Sequence, residues 1–159
     1  PLYLSWKIRL AGHETQFIAL ADQINRSMPE HVVTLVADAL NERGRAVRGA
    51  MVLVLGVTYK PDVNDIRESP ALEIIQALAR KGAQVSYADS FIPQLALDDL
   101  KLVAVEPSAE TIAAADCVLI LTNHSAFDYA MVADSATLVV DTRNAMKDYR
   151  RSRPSIVTL

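Results

Sequence analysis

Two cations, Lys60 and Arg67, share the loop between the apolar run Met51-Val52-Leu53-Val54-Leu55 and the pair Ser69-Pro70. Ser69-Pro70 reads as a helix N-cap followed by the first helical residue. The free N–H groups and positive dipole end of such a helix favour anions. A lysine just past a strand, stiffened by Pro61, can set a point charge on a phosphate or sugar oxygen. Arg67 adds a planar fork suited to bidentate phosphate contact. The arrangement reads as a phosphate or diphosphate clamp. A third cation, Arg143 of Asp141-Thr142-Arg143-Asn144, follows the apolar Leu138-Val139-Val140 and so falls at a strand end on the side where Lys60 lies. Each cation also has a plainer reading: a solvated loop lysine for Lys60, an ion pair with Asp65 or Glu68 for Arg67, and one with Asp141 for Arg143.

The other polar candidates read as scaffolding. Asp62, Asn64 and Asp65 are good Asx-turn formers. Asp89 ends a strand where dinucleotide folds keep a ribose-binding acid, yet no G-x-G-x-x-G accompanies it, and a turn or cap role fits better. His124, in Thr122-Asn123-His124, lies beyond another strand end and reads as a loop hydrogen-bonder, because no nucleophile or carboxylate is paired with it in sequence. His13 and His31 have no metal-ligand spacing, so no metal site is expected. Cys117 stands in the apolar run Cys117–Leu121 and reads as an inert core thiol. A single cysteine excludes an internal disulfide framework and fits a reducing compartment.

The elements that must position these residues follow from periodicity. From Glu14 to Arg43 apolar residues recur at helical spacing, first Phe17, Ile18, Leu20, Ala21, Ile24 and Met28, then Val32, Val33, Leu35, Val36, Ala39 and Leu40. Pro29 between the two sets is either the first residue of a second arm or a kink in one helix. The stripe is wide enough to pack on something beyond the following domain, the alternative being a helix folded back on its own sheet. Strands are predicted at Val52–Leu55, Gln84–Tyr87, Leu102–Val105, Cys117–Leu121, Leu138–Val140 and Ile156–Thr158. Helices are predicted at Pro70–Arg80, Ala109–Ala114 and around Tyr129–Ala133. This alternation implies right-handed crossovers and an α/β fold, a doubly wound, mostly parallel Rossmann-like sheet preceded by a long helical segment. Ligands of such sheets bind beyond the C-terminal strand ends, at the switch point.

The run Gly56-Val57-Thr58-Tyr59-Lys60-Pro61-Asp62-Val63-Asn64-Asp65-Ile66-Arg67-Glu68-Ser69-Pro70 resembles the signature opening the C-terminal domain of the UDP-glucose/GDP-mannose dehydrogenase family. These are nucleotide-sugar 6-dehydrogenases that oxidise a sugar primary alcohol to a carboxylate with NAD. Pro1 to Lys7, Phe17 to Ala21 and Ile24 to Pro29 are similar to the family's central helical segment in the branch acting on UDP-N-acetylhexosamines such as UDP-GlcNAc or UDP-ManNAc. The resemblance implies a central helical linker and dimerisation segment at 1–46 and a UDP-sugar-binding α/β domain at 47–159. It implies that Lys60 and Arg143 contact the substrate nucleotide and that Arg67 contacts NAD across an interdomain cleft. It also implies a homodimer through the 14–43 helix and a UDP-uronate product for polysaccharide biosynthesis. The family's catalytic cysteine, which carries thiohemiacetal and thioester intermediates, lies upstream of the segment matched by Pro1, so no catalytic residue is expected here. NAD is expected to be held mainly by an N-terminal domain outside this sequence. The chain starts mid-motif without Met, which leads us to expect a piece that binds but does not turn over. In one departure from the family pattern, Ser90 rather than proline follows Asp89.

Composition fits this reading. The 159 residues are 51% hydrophobic and 22% charged, as in a folded chain, and the net charge of −3 gives no global basic field for nucleic acid. No apolar stretch approaches the roughly 20 residues needed to span a bilayer, and the N-terminus has no signal-peptide pattern. A cytoplasmic protein is expected. The rival reading is a stand-alone nucleotide-binding or dimerisation module of flavodoxin or receiver type, without catalysis. Against a receiver, the first two strand ends carry Lys60 and one acid, Asp89, rather than an acidic cluster.

Overall fold

The computed structural model describes residues 16–98, 100–150 and 155–159. The Pro1–Lys7 block and His13 lie outside the described residues. Chain order is α1 (Gln16–Asn41), β1 (Met51–Leu55), α2 (Pro70–Arg80), β2 (Gln84–Ala88), β3 (Gln94–Leu97), β4 (Leu100–Val103), α3 (Ala109–Ala114), β5 (Cys117–Ile120), α4 (Tyr129–Ser135), β6 (Val139–Asp141) and β7 (Ile156–Thr158).

Five strands form one sheet in the order β2-β1-β5-β6-β7, and every pairing in it is parallel. Strand order reverses between β1 and β5, so the switch point lies beyond Leu55 and Ile120, which pair in register. Alternate residues of the central strands enter two separate cores. Val52, Val54, Cys117 and Leu119 pack with α1 and α2, while Leu53, Leu55, Val118 and Ile120 pack with Ile112 of α3 and Val132 of α4. Burial on both faces is why these strands read as unbroken apolar runs.

Local caps fix the helices. Ser69 Oγ accepts the Ala71 N–H at 3.3 Å with Pro70 opening α2, and Ser108 and Asp128 cap α3 and α4 through Thr111 and Met131. Pro29 sits inside α1 without ending it. The two arms of that helix differ. Val32, Val33, Val36, Ala39 and Leu40 join the core of the sheet, whereas Phe17 is 89% exposed, Leu20 52% and Ile24 50%. The apolar stripe therefore turns to the chain's own sheet over its second half and to the surface over its first.

One predicted strand is corrected. The segment expected at Leu102–Val105 is β4, Leu100–Val103, and it lies outside the parallel sheet in an antiparallel ribbon with β3. Lys101 and Val103 point out while Leu100 and Leu102 are half-buried, the alternation of a ribbon with one covered face. Asp98, at φ +48°, makes the turn between its strands. The ribbon runs on beside the sheet edge, where the Val105 N–H donates to Tyr87 O at 2.9 Å.

Candidate functional site

The C-terminal ends of β1, β2 and β5 converge on one buried side chain, His124. Its ring is fully enclosed and lies between Phe91 and Phe127, with centroids at 5.1 and 5.4 Å. Nδ1 accepts the Asp62 N–H at 2.9 Å, which places the ring proton on Nε2. Nε2 faces Asp89 Oδ2 at 3.0 Å and Thr58 Oγ1 at 3.2 Å. The Thr58 hydroxyl gives its own proton to Lys60 O at 2.8 Å, so Oγ1 is free to accept from Nε2. One imidazole thus ties the loop after β1 to the loops after β2 and β5.

Asp89 is consumed by the same knot. Its Oδ2 also accepts the Val57 N–H at 2.8 Å, and Oδ1 accepts those of Phe91 and Ile92 at 2.8 and 3.2 Å. A side chain so enclosed caps a turn and has no face left for a ribose. Asp62 holds the knot from the other side. Its Oδ1 accepts the Ser125 N–H at 2.9 Å, and this bond keeps its carboxyl below the usual range.

The crevice at the switch point is closed by the chain itself. Gly56, at φ +77°, lies against Thr122, whose hydroxyl donates to Thr58 O at 2.6 Å. The cations stand on the rim of the crevice. Lys60 is exposed, with Nζ 6.0 Å from the centre of the Tyr59 ring. Arg143 is exposed beyond β6, and its Nε donates to Leu121 O at 2.6 Å across the end of β5. That bond leaves the terminal amines of the fork with donors to spare. Asp141 binds the Arg143 and Met146 backbone N–H groups at 2.9 and 2.8 Å, so it shapes the loop rather than neutralising the guanidinium. With strands about 5 Å apart, Lys60 and Arg143 start from strand ends on either side of β5.

Arg67 stands apart from this pair. It lines a cleft of about 400 Å³ with Asn64, Asp65, Phe91, Pro93 and Gln94, on the β2 side of β1. Its Nε and Nη2 each lie 2.9 Å from the Asp65 carboxylate, and these side-chain bonds hold the Asp65 pKa at about 2. The Arg67–Asp65 pair foreseen as the plainer reading is therefore formed. It is also open to water, with the Arg67 side chain 87% exposed, and such pairs contribute little.

Cys117 is fully buried, and burial pushes its thiol up to about 12, which makes it a core residue and no nucleophile. Among the described residues no group of three or more His, Cys, Asp or Glu could hold a metal ion, and no helix is long and apolar enough to cross a membrane. Sequence reasoning missed Thr58 and Thr122, and it treated His124 and Asp89 separately. The signal available for them was their common position, since all four lie in the loops that follow β1, β2 and β5.

Residues 53–148, more than half of the chain and the stretch from within β1 to the loop after β6, match the model of the "UDP-glucose/GDP-mannose dehydrogenase family, UDP binding domain". The chain belongs to this family. Within the UDP-glucose/GDP-mannose dehydrogenases it is 31% identical over 150 residues to the UDP-N-acetyl-D-mannosamine dehydrogenase of Methanococcus maripaludis, covering 89% of this chain and 33% of that protein. It is 30% identical over 92 residues to the UDP-N-acetyl-D-glucosamine 6-dehydrogenase of Pseudomonas aeruginosa, covering 58% and 22%. The UDP-N-acetyl-mannosamine dehydrogenase structure from Staphylococcus aureus superposes with a TM-score of 0.59 at 31% identity, over 77% of this chain and 28% of that one. The UDP-D-ManNAc dehydrogenase structure from Pyrococcus horikoshii shares the fold at a TM-score of 0.73 and 22% identity, over 92% of this chain and 34% of that one. The chain spans about a third of the length of the first curated relatives it matches. Family membership sets aside the receiver-like alternative.

Proposed function

We propose that this chain forms the nucleotide-binding part of an NAD-dependent UDP-sugar 6-dehydrogenase, which oxidises the C6 alcohol of a UDP-N-acetylhexosamine or related UDP-sugar to a carboxylate. The observation that carries the reading is the family match over residues 53–148, which includes every loop bearing Lys60, Arg67 and Arg143. Lys60 and Arg143, on either side of the end of β5, neutralise the UDP diphosphate and orient the sugar, a positioning contribution. Arg67 leaves Asp65 for the diphosphate of NAD, which is held mainly by a further domain and supplies the hydride acceptor. Residues 1–46 serve as the central linker and 47–159 as the UDP-sugar-binding domain.

The exposed first arm of α1 supports a two-fold dimer through the 14–43 helix, since an uncovered apolar stripe of this kind marks an interface. The same reading places the enzyme in the cytoplasm, supplying uronates to polysaccharide assembly. Its test is a binding and turnover measurement on the 159-residue chain. UDP should bind saturably, and no NADH should form from NAD and any UDP-N-acetylhexosamine, because the sequence contains no G-x-G-x-x-G and its one cysteine is buried. Failure to bind UDP, or NADH formation above background, would overturn it.

A further inference from the structure

We infer that His124 is a positioning residue that presents Lys60 to the nucleotide, by clamping the backbone on both sides of it. This inference rests on the proposed role of Lys60. Before Lys60, Thr58 Oγ1 lies 3.2 Å from Nε2 and donates to the Lys60 carbonyl. After it, the Asp62 N–H donates to Nδ1 at 2.9 Å. The lysine thus occupies a short exposed span whose two ends are fixed to one buried ring. Asp62 sits at φ +59°, in the left-handed region that aspartate adopts in turns. The two holds on it are the His124 ring and the Ser125 N–H.

The two ring nitrogens have separable jobs, because Nε2 serves Asp89 and Thr58 in the interior while Nδ1 serves the loop. Side-chain amides can separate them. His124→Gln places an amide near Nε2 and keeps a donor for Asp89, but removes the acceptor for the Asp62 N–H. His124→Asn places an amide oxygen near Nδ1 and keeps that acceptor, but abandons Asp89. A purely structural histidine would show UDP affinity following thermal stability in both variants.

The test is UDP calorimetry and thermal melting on His124→Gln, His124→Asn and Lys60→Ala, with amide hydrogen exchange on the parent. His124→Gln should melt nearer the parent than His124→Asn does, yet bind UDP about threefold to tenfold more weakly, the loss of one hydrogen bond. His124→Asn should melt lower and hold UDP more tightly than His124→Gln. Parent-like UDP affinity in His124→Gln, with Lys60→Ala weakened, would overturn the clamp alone. UDP affinity unchanged in Lys60→Ala would overturn the site reading and the clamp with it. Should neither histidine variant fold, the parent's Asp62 amide decides: protection supports the clamp, and exchange at the rate of a free loop amide refutes it.

Discussion

Gly56 and Thr122 face each other across the switch point with no room for a methyl group between them. A β-carbon on Gly56 would lie 2.6 Å from Thr122 Cβ and 2.9 Å from its carbonyl carbon, and the φ of +77° is itself costly for any other residue. The contact seals the floor of the crevice between the ends of β1 and β5.

Gly56→Ala should therefore destabilise the chain by about 2–5 kcal/mol, combining backbone strain with a clash against main-chain atoms. Denaturant unfolding checks this. A midpoint equal to the parent's would show that β1 and β5 can part at this point, reopening the crevice as a ligand site.

The Asp65–Arg67 pair contributes little to stability but leaves a signature in the titration of Asp65. The Arg67 side-chain bonds hold the Asp65 carboxyl at about 2, below its ordinary 3.8. A depressed folded value means that the contribution is complete above 3.8 and lost as pH falls through about 2. Carboxyl carbon shifts followed by NMR should give that low midpoint, and Arg67→Ala should return it toward the ordinary value. An Asp65 midpoint unmoved by Arg67→Ala would contradict the pair.

The two arms of α1 should respond oppositely to charge. Phe17→Glu and Ile24→Glu alter exposed positions, so they should leave the chain folded and shift a dimer to monomer at roughly tens of micromolar, lowering melting only by what the dimer adds. Val36→Glu puts a charge into the core and should unfold the chain. Sedimentation and melting read the two effects. A parent that sediments as a monomer at such concentrations would remove the proposed interface.

Much of this fold was legible because its determinants are local. The cap Ser69 marks the start of α2, and burial on both faces makes β1 and β5 conspicuous. The ribbon β3–β4 was not, because a short half-buried ribbon leaves only a weak alternation and its pairing depends on a turn at Asp98. Periodicity revealed the stripe on α1 but not its cover, since the same spacing serves the sheet at Val36 and the surface at Phe17. The cations were visible as residue types after strand ends. The His124–Asp89 contact was not, because the partners lie 35 residues apart and only the parallel sheet brings them together.

The most direct test of the account is calorimetry of UDP binding to the parent chain and to Lys60→Ala, Arg143→Ala and Arg67→Ala. A charge-assisted bond to phosphate lost from the site should weaken UDP about tenfold to a hundredfold in each of the first two variants. Arg67→Ala, in the separate cleft beside β2, should barely change it. UDP affinity unaltered by both Lys60→Ala and Arg143→Ala would contradict the proposed site and leave these residues as surface charges at the strand ends.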